Sequence, residues 1–138
     1  MLVLATAAWP AGRPTAEWKR MHDAAVEGFE TLARVIKHGA TTTEAEEAAE
    51  VIHERGYSIY DDLVHGVNQY PPIFQTKTTR RHDSREITFR ENMVIVIQPN
   101  LMTHDEKMGL QFGETLVVTK KGCESLNAYP REWVVCQS

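Results

Sequence analysis

The apolar residues in the first half of the chain recur with a helical period. Between residues 16 and 37 they are spaced so that they form one stripe on a helix of 3.6 residues per turn. The stripe comprises Met21, Ala24, Ala25, Phe29, Leu32, Val35 and Ile36. Thr15 is a favourable N-cap, and Gly39 suits the turn beyond the last helical residue. The pattern therefore predicts a first helix over residues 16–37 with one buried face.

A second helix is predicted after a short polar link. Thr41 and Thr43 are each followed three residues later by a Glu, which is the spacing of a capping box. The acidic residues at the start of this segment also suit the positive end of a helix dipole. Apolar residues recur up to Ile52, and Gly56 is a natural stop. The second helix is predicted to span residues 43–55.

The second half of the chain changes to a strand pattern. Residues 57–85 contain Gly, Asn and Pro at turn-forming positions, and they predict a long loop with one short strand. Runs rich in strand-forming residues follow at residues 86–89, 93–98, 114–119 and 132–136. The second of these runs is almost wholly apolar, as expected for a strand that is covered on both faces.

Two helices followed by strands indicate an α+β fold, in which the helices cover one face of a curved antiparallel sheet. The length of 138 residues corresponds to one domain. Residues 1–14 contain two prolines and show no helical period. We expect them to be the end of an upstream strand or a mobile lead-in, and we expect residues 15–138 to form the domain.

Charge and composition argue against several classes of partner. There are 19 acidic and 15 basic residues, and the formal net charge is −4, whereas nucleic acids and anionic lipids are bound through basic surfaces. The apolar stretch from Met1 to Pro10 is too short to span a membrane, and no basic segment precedes it as in a signal peptide. Cys123 and Cys136 are too few for a disulfide framework. We therefore expect a cytoplasmic protein with no nucleic-acid or membrane partner.

Five of the six histidines carry weak signals for chemistry. His22, His38 and His53 lie on the predicted helices, at positions expected to face solvent, and the spacing of Glu50 and His53 predicts a simple side-chain contact. The other two, at positions 82 and 104, lie in polar stretches that offer no supporting shell for a metal ion.

His65 is the strongest candidate because Gly66 follows it at an element boundary, where the backbone can turn sharply beside the ring. Two interpretations stay open for this residue: it lines a functional site, or it is a structural hydrogen-bonding group. The sequence contains no nucleophile elbow, Walker loop or dinucleotide-binding glycine pattern. The sequence therefore gives no indication of an α/β-hydrolase nucleophile, a P-loop phosphate site or a dinucleotide-binding site.

Four stretches carry a family resemblance in their order and spacing. Residues 37–41, KHGAT, are similar to a K-x-G-x-T link between two helices, and residues 55–67 are similar to a Gly-Tyr stretch that leads to H-G-I-G. Residues 91–100, ENMVIVIQPN, and residues 111–119, QFGETLVVT, are similar to x-x-G-M-V-x-x-I-E-P and R-I-E-D-x-V-L-V-T. Nearly the whole chain thus resembles the second half of the catalytic domain of the pita-bread metallopeptidases of family M24. This family includes methionine aminopeptidases, Xaa-Pro peptidases and creatinase.

The resemblance implies a pita-bread fold, with two helices packed on a curved antiparallel sheet, and a site for two metal ions. Active members hold the ions with two Asp, one His and two Glu, because carboxylates can bridge cations that activate a shared water. In this chain His65 matches the His ligand, whereas Gln98 and Gly113 stand at the two Glu positions. The second Asp falls near Leu4, and the first would precede residue 1.

These departures imply that the dinuclear site is lost and that no cofactor is bound, because a Gln amide cannot bridge two cations and Gly has no side-chain ligand. What remains is a candidate ligand pocket lined by His65, Tyr70, Gln98 and Glu114, the last of which matches the Asp beside the second family Glu. His65 and the Gln98 amide are expected to face one concavity, with the backbone of Gly113 alongside.

Three functions stay open at this point. The first is a domain related to Xaa-Pro aminopeptidases and dipeptidases that is non-catalytic, a pseudoenzyme, and binds a peptide-like or small ligand. The second is a metal-independent hydrolase of a small carbon–nitrogen bond, similar to creatinase. The third is a protein-interaction module within a larger chain. The expected partners are a peptide or small molecule and either a second copy of the chain or an upstream part of the same domain.

Overall fold

A computed structural model describes residues 13–82 and 84–132, and the structural statements below concern those residues. Helices come first and strands follow. The helices are α1 (Ala16–Val35), α2 (Thr42–Ala48) and α3 (Val51–Glu54). The strands are β1 (Ser58–Ile59), β2 (Val64–Gly66), β3 (Val94–Ile97), β4 (Asn100–Met102), β5 (Gly109–Gln111), β6 (Glu114–Val118) and β7 (Cys123–Ser125). A single 3-10 turn, Val67–Gln69, follows β2.

The first predicted helix is confirmed as α1. The side chain of Thr15 accepts a hydrogen bond from the backbone N–H of Trp18, as expected for the N-cap. The buried stripe matches the apolar pattern, and it continues to Ile36, which is fully buried although its backbone is already extended. The helix ends there because the chain turns toward the sheet, where the backbone N–H of His38 donates to the carbonyl of Thr119 at 2.9 Å.

The second predicted helix forms as two short segments, α2 and α3. Thr41 and Glu44 make the predicted capping box, in which each side chain bonds to the other residue's backbone N–H. The helix tightens after α2, where the N–H of Ile52 donates to the carbonyl of Ala49, three residues back, at 3.1 Å. Such bonds are typical of 3-10 geometry, which apolar periodicity alone does not distinguish from an α-helix.

The described strands form two antiparallel sheets rather than the one curved sheet expected. One sheet has the order β1-β4-β5, and the other has the order β2-β3-β6-β7. Strands β3 and β6 confirm the predicted strands at 93–98 and 114–119, and they are neighbours. The α+β class is confirmed. The predicted loop region 57–85 contains two short strands, β1 and β2, rather than one.

The expected strand at residues 86–89 is wrong. Thr88 forms a single isolated bridge with Thr41, and the surrounding backbone bonds with the link between α1 and α2 instead of with a sheet strand. The N–H of Phe89, for example, donates to the carbonyl of Ala40 at 2.8 Å. The predicted strand at 132–136 lies, apart from Glu132, outside the described residues.

The core lies between α1 and the four-stranded sheet. Phe29 on α1 and Ile95, Ile97 and Leu116 on the two central strands are all at most 1% exposed. Because side chains alternate along a strand, the residues between these positions face the other side of the sheet. That second face carries the candidate site. Among the described residues, no helix is both long and apolar enough to cross a membrane.

Candidate functional site

Three neighbouring strands bring His65, Val96 and Thr115 into one row. His65 on β2 is paired with Val96 on β3, which is paired with Thr115 on β6. Directly opposed residues of antiparallel strands share a face, and this is the face turned away from the core residues Ile95 and Ile97. All three row residues are buried, with exposed fractions of 7%, 7% and 1%.

His65 and Gln98 are in direct contact on this face. Gln98 follows β3, and its backbone N–H donates to the carbonyl of Leu63 at 2.7 Å, which extends the pairing of β2 and β3. The Nε2 atom of His65 lies 3.1 Å from the Gln98 side-chain amide, and its Nδ1 atom lies 2.8 Å from the carbonyl oxygen of Gly66. Both ring nitrogens of this buried histidine are therefore engaged.

These two contacts fix which atoms of the pair meet. The Gly66 carbonyl can only accept, so Nδ1 of His65 donates to it. The atom of the Gln98 side chain that lies beside Nε2 of His65 is Oε1. The amide NH₂ group of Gln98 is therefore turned away from the ring.

Gly113 lies against Gln98 with no room for a side chain. An added Cβ would lie 2.9 Å from Cγ of Gln98 and 3.0 Å from the carbonyl oxygen of Ile97. The aliphatic part of the Gln98 side chain thus occupies the space that a side chain at position 113 would need. The two departures from the family pattern are therefore linked sterically.

The structure does not bring Glu114 to His65. Adjacent residues of a strand face opposite sides, so Glu114 faces the helices whereas Thr115 faces the candidate site. Its buried carboxylate accepts hydrogen bonds from Nε of Arg131 at 2.7 Å and from Oγ of Ser125 at 2.6 Å. The carboxylate of Glu114 therefore links β6 to β7 and to the chain that follows β7.

Tyr70 contributes its backbone, while its side chain is 69% exposed. Its carbonyl accepts from the N–H of Gly66 at 2.6 Å. A Cβ on Gly66 would lie 2.5 Å from that carbonyl oxygen and 2.9 Å from the carbonyl of Pro71. The glycine after His65 is therefore required by a close approach of the backbone. The fourth degenerate metal position, Leu4, lies outside the described residues.

Two further residues of the site region were not singled out by the sequence, although Asn100 lies in the resemblance stretch 91–100 and Thr115 lies in the predicted strand 114–119. Asn100 is fully buried, and its side chain donates to the backbone carbonyl of Gln98 and accepts from the backbone N–H groups of Tyr60 and Asp61. It therefore links the chain before β2 to the end of β3. Thr115 has a buried hydroxyl with no hydrogen-bond partner among the described residues.

The other histidines divide between solvent and core. His38, His82 and His104 are exposed. The expectation that His22 faces solvent is wrong: it is 7% exposed, its ring meets that of Phe112 edge-on, and burial lowers its pKa, opposed by the nearby Asp23.

His53 is half-buried rather than solvent-facing. Its ring bonds to the Tyr57 carbonyl and the Thr76 hydroxyl. The pair expected between Glu50 and His53 is replaced by hydrogen bonds from Thr78 to the Glu50 carboxylate. The helical pattern placed this ring on the surface, but residues 74–79 fold back over α3.

The residues of this face do not fit a dinuclear metal centre. Within the described residues, no three or more His, Cys, Asp or Glu side chains converge as a group that could hold a metal ion. His65 is bonded to an amide, position 113 has no side chain, and the adjacent carboxylate of Glu114 faces the other way.

Comparison with known proteins identifies the family to which the chain is similar. The model of Metallopeptidase family M24 matches residues 3–120. An ectoine hydrolase from Halomonas elongata is 29% identical over 134 residues, which covers 90% of this chain and 31% of that protein. The relative is thus about three times as long as this chain.

Solved structures of similar proteins share the fold of this chain. An X-Pro aminopeptidase from Thermotoga maritima is 26% identical with a TM-score of 0.79, and the match covers 96% of this chain and 37% of that one. A prolidase from Pyrococcus horikoshii is also 26% identical, with a TM-score of 0.74 and coverage of 94% and 37%. The chain spans about a third of the length of these relatives. With its fold, its segment order and the family match over most of its length, the chain belongs to metallopeptidase family M24.

Proposed function

We propose that this chain is an M24 peptidase-like domain that has lost the dinuclear metal site, is non-catalytic as it stands, and binds a neutral polar group of a peptide-like or small ligand. The observation that carries the proposal is the contact between His65 and Gln98, at 3.1 Å, in the position of the family's His and first Glu. An imidazole and an amide offer hydrogen-bond donors and acceptors, and neither supplies a carboxylate.

The loss of carboxylates argues against metallopeptidase chemistry. Two cations in one site need negative ligands to offset their repulsion and to activate a shared water. Gln98 is neutral, and Gly113 cannot acquire a side chain without moving the backbone of β3. The buried carboxylate that remains nearby, Glu114, is neutralised by Arg131. The proposal therefore assigns the face to recognition rather than to hydrolysis.

Metal content is the first test. The purified chain is dialysed separately against Mn²⁺, Co²⁺ and Zn²⁺, and bound metal is measured by elemental analysis in the parent, in His65→Ala and in His104→Ala. His104 is exposed and bonds to Ser58, so its variant controls for adventitious binding at a surface histidine. We expect less than 0.1 equivalent of metal in all three proteins, on the order of background. Stoichiometric metal that disappears only in His65→Ala would overturn the proposal.

Catalysis is the second test, on the same three proteins. Xaa-Pro dipeptides are incubated with the parent in the presence of each metal, and free proline is measured. We expect no release above the buffer control. Turnover that is lost in His65→Ala and retained in His104→Ala would contradict the non-catalytic assignment.

The similarity to an ectoine hydrolase favours a hydrolase of a small molecule as the alternative, and the resemblance to creatinase suggests one that cleaves a carbon–nitrogen bond without metal. Under this alternative the key His of the creatinase-like chemistry would precede residue 1, and His65 would be a second polar group that contacts the substrate. The assay is hydrolysis of ectoine in the presence of a chelator, followed by NMR. Products that form with the parent and with His104→Ala, but not with His65→Ala, would replace the first proposal with this one.

The chain's partners are part of the same proposal. A second copy of the chain or an upstream part of the same domain would complete a fold that relatives build from about three times as many residues. Sedimentation equilibrium distinguishes a homodimer from a monomer, and a monomer throughout the accessible concentration range would exclude the homodimer.

A further inference from the structure

Thr115 has an unexplained hydroxyl on the face that carries His65. The residue is 1% exposed, and its Oγ1 atom is buried with no hydrogen-bond partner in the part of the chain that the structure describes. Buried polar atoms in folded proteins nearly always have a partner, because an unsatisfied hydroxyl loses its bonds to water without replacement. The side chain directly opposite, Val96, is apolar and cannot supply one.

Another buried threonine shows the contrast. Thr76 is 0% exposed, and its hydroxyl lies 2.8 Å from Nε2 of His53 and 2.9 Å from the hydroxyl of Thr79. Among the described residues, the fold thus satisfies one buried threonine completely and leaves the hydroxyl of the other without a partner. An orphaned hydroxyl beside the candidate site is a group with which a bound ligand could form a hydrogen bond.

The spacing of the strands relates this hydroxyl to Gln98. Gly113, which precedes β6, packs directly against Gln98, and Thr115 lies two residues further along the chain, so Gln98 and Thr115 are diagonal neighbours on one face. The Cα atoms of diagonal neighbours are roughly 7–8 Å apart, close enough for their side chains to contact one small group. A planar amide carries its acceptor and its donor at opposite ends, so it can bond to both side chains at once.

We propose that Thr115 is a third binding residue of this face, and that Gln98 and Thr115 together hold one neutral carboxamide group of the ligand. The proposal rests on the proposed function, which it extends by naming the group that is bound. Oε1 of Gln98 faces His65, so its NH₂ group is available to donate to the carbonyl oxygen of the ligand. The Thr115 hydroxyl accepts from the N–H of the ligand.

The chemistry favours an uncharged ligand. The buried polar side chains of the site, those of His65, Gln98 and Thr115, include no Asp, Glu, Lys or Arg, and Glu124, opposite Val117 on the same face, is exposed. A carboxylate or ammonium group buried beside them would lose its hydration without an ion pair to replace it. A carboxamide presents one acceptor and one donor, which match the NH₂ donor of Gln98 and the hydroxyl acceptor of Thr115.

The first experiment measures stability in the absence of ligand. Thr115→Val keeps the shape of the side chain and removes the orphaned hydroxyl, so its Tm should equal or exceed that of the parent. Thr76→Val is the matched control, and its Tm should fall because two bonded partners lose their hydroxyl. A Tm for Thr115→Val that falls as far as that of Thr76→Val would mean that the hydroxyl has a structural partner, and it would overturn the inference.

The second experiment measures binding of propionamide by ligand-observed NMR, with propionate, its negatively charged analogue of the same shape, as the comparison. We expect the parent to bind the amide and not the acid. Removing one hydrogen bond should weaken binding about fivefold to tenfold in Thr115→Val, while Thr76→Val should bind like the parent. Preference for the acid, or no binding of either compound to the parent, would overturn the assignment to carboxamides.

The two proposals fail in different ways. If His65→Ala abolishes amide binding while Thr115→Val leaves it unchanged, Thr115 is not a binding residue, but the proposed function stands. If the parent binds metal through His65, the proposed function fails whatever the amide data show. Weaker binding in Thr115→Val, together with an unchanged or higher Tm, supports the inference because a merely structural role would not separate the two readouts.

Discussion

Adding a single methyl group at position 113 tests the steric link between the two residues that replace the family's carboxylates. In Gly113→Ala the new Cβ would lie 2.9 Å from Cγ of Gln98, 3.0 Å from the carbonyl oxygen of Ile97 and 3.1 Å from Cα of Gln98. The latter two atoms belong to the backbone at the end of a central strand, so they cannot swing aside as a flexible side chain would. Overpacking of this kind costs about 1–3 kcal/mol.

The expected loss is about 2 kcal/mol, which corresponds to a Tm about 6–8 °C lower for a domain of this size. The assay is urea denaturation followed by circular dichroism, with thermal melts as a check. Gly109→Ala is the matched control, since its Cβ would make only ordinary contacts, with the carbonyl oxygen of Leu101 at 3.6 Å and with Tyr60 at 3.9 Å. Its stability should lie within about 0.5 kcal/mol of the parent.

A double-mutant cycle then tests whether the contact with the Gln98 side chain causes the loss of stability in Gly113→Ala. Gln98→Ala removes Cγ and leaves only the two backbone contacts, so Gly113→Ala should cost at least about 0.5 kcal/mol less in that background. The reasoning is refuted if Gly113→Ala costs no more than Gly109→Ala. It is also refuted if the cost is the same with and without the Gln98 side chain.

Three further predictions concern other buried groups. Burial raises the pKa of the Cys123 thiol to about 12 from 9.0. In a Cys136→Ser background, alkylation of Cys123 at pH 8 should therefore be about a thousandfold slower in the folded than in the unfolded chain. Equal rates in the two states would contradict this. Arg131→Ala leaves the buried carboxylate of Glu114 without its cation and should cost about 2 kcal/mol by urea denaturation, since Ser125 still donates to it. Burial raises the pKa of Glu46, an effect that Arg80 opposes. Because the folded state then holds this proton more tightly than the unfolded chain does, the free energy of unfolding falls as the pH rises above 4.5. The Tm of Glu46→Gln should therefore rise relative to that of the parent over that pH range.

The local elements followed from the sequence because their signals are local. The stripe on α1, its N-cap and the capping box at Thr41 depend on residues within one or two turns of each other, and the structure has them as expected. The apolar run that became β3 was recognisable for the same reason. The prediction of a strand at residues 86–89 was wrong because strand propensity does not specify which segment a strand pairs with. Their backbone bonds with the link before α2 rather than with a strand.

The very short strands could not have been predicted from pattern. β1 has two residues, and β4, β5 and β7 have three each, so none is long enough for an alternation of apolar and polar residues to be detected. Pairing with distant segments creates them. The division of the strands into two sheets is likewise a property of those pairings.

The candidate site divides in the same way. The His65-Gly66 pair singled out His65, and the order of the segments placed Gln98 and Gly113 at the family's carboxylate positions, because order and spacing are properties of the chain. Strand register decided the rest: a shift of one residue reverses the face of a side chain, so Glu114 joins Arg131 on the helix side while Thr115 joins His65 on the other. The contact of Gln98 with His65, the space closed at Gly113 and the orphaned hydroxyl of Thr115 exist only where three strands meet, since each depends on atoms far apart in the sequence.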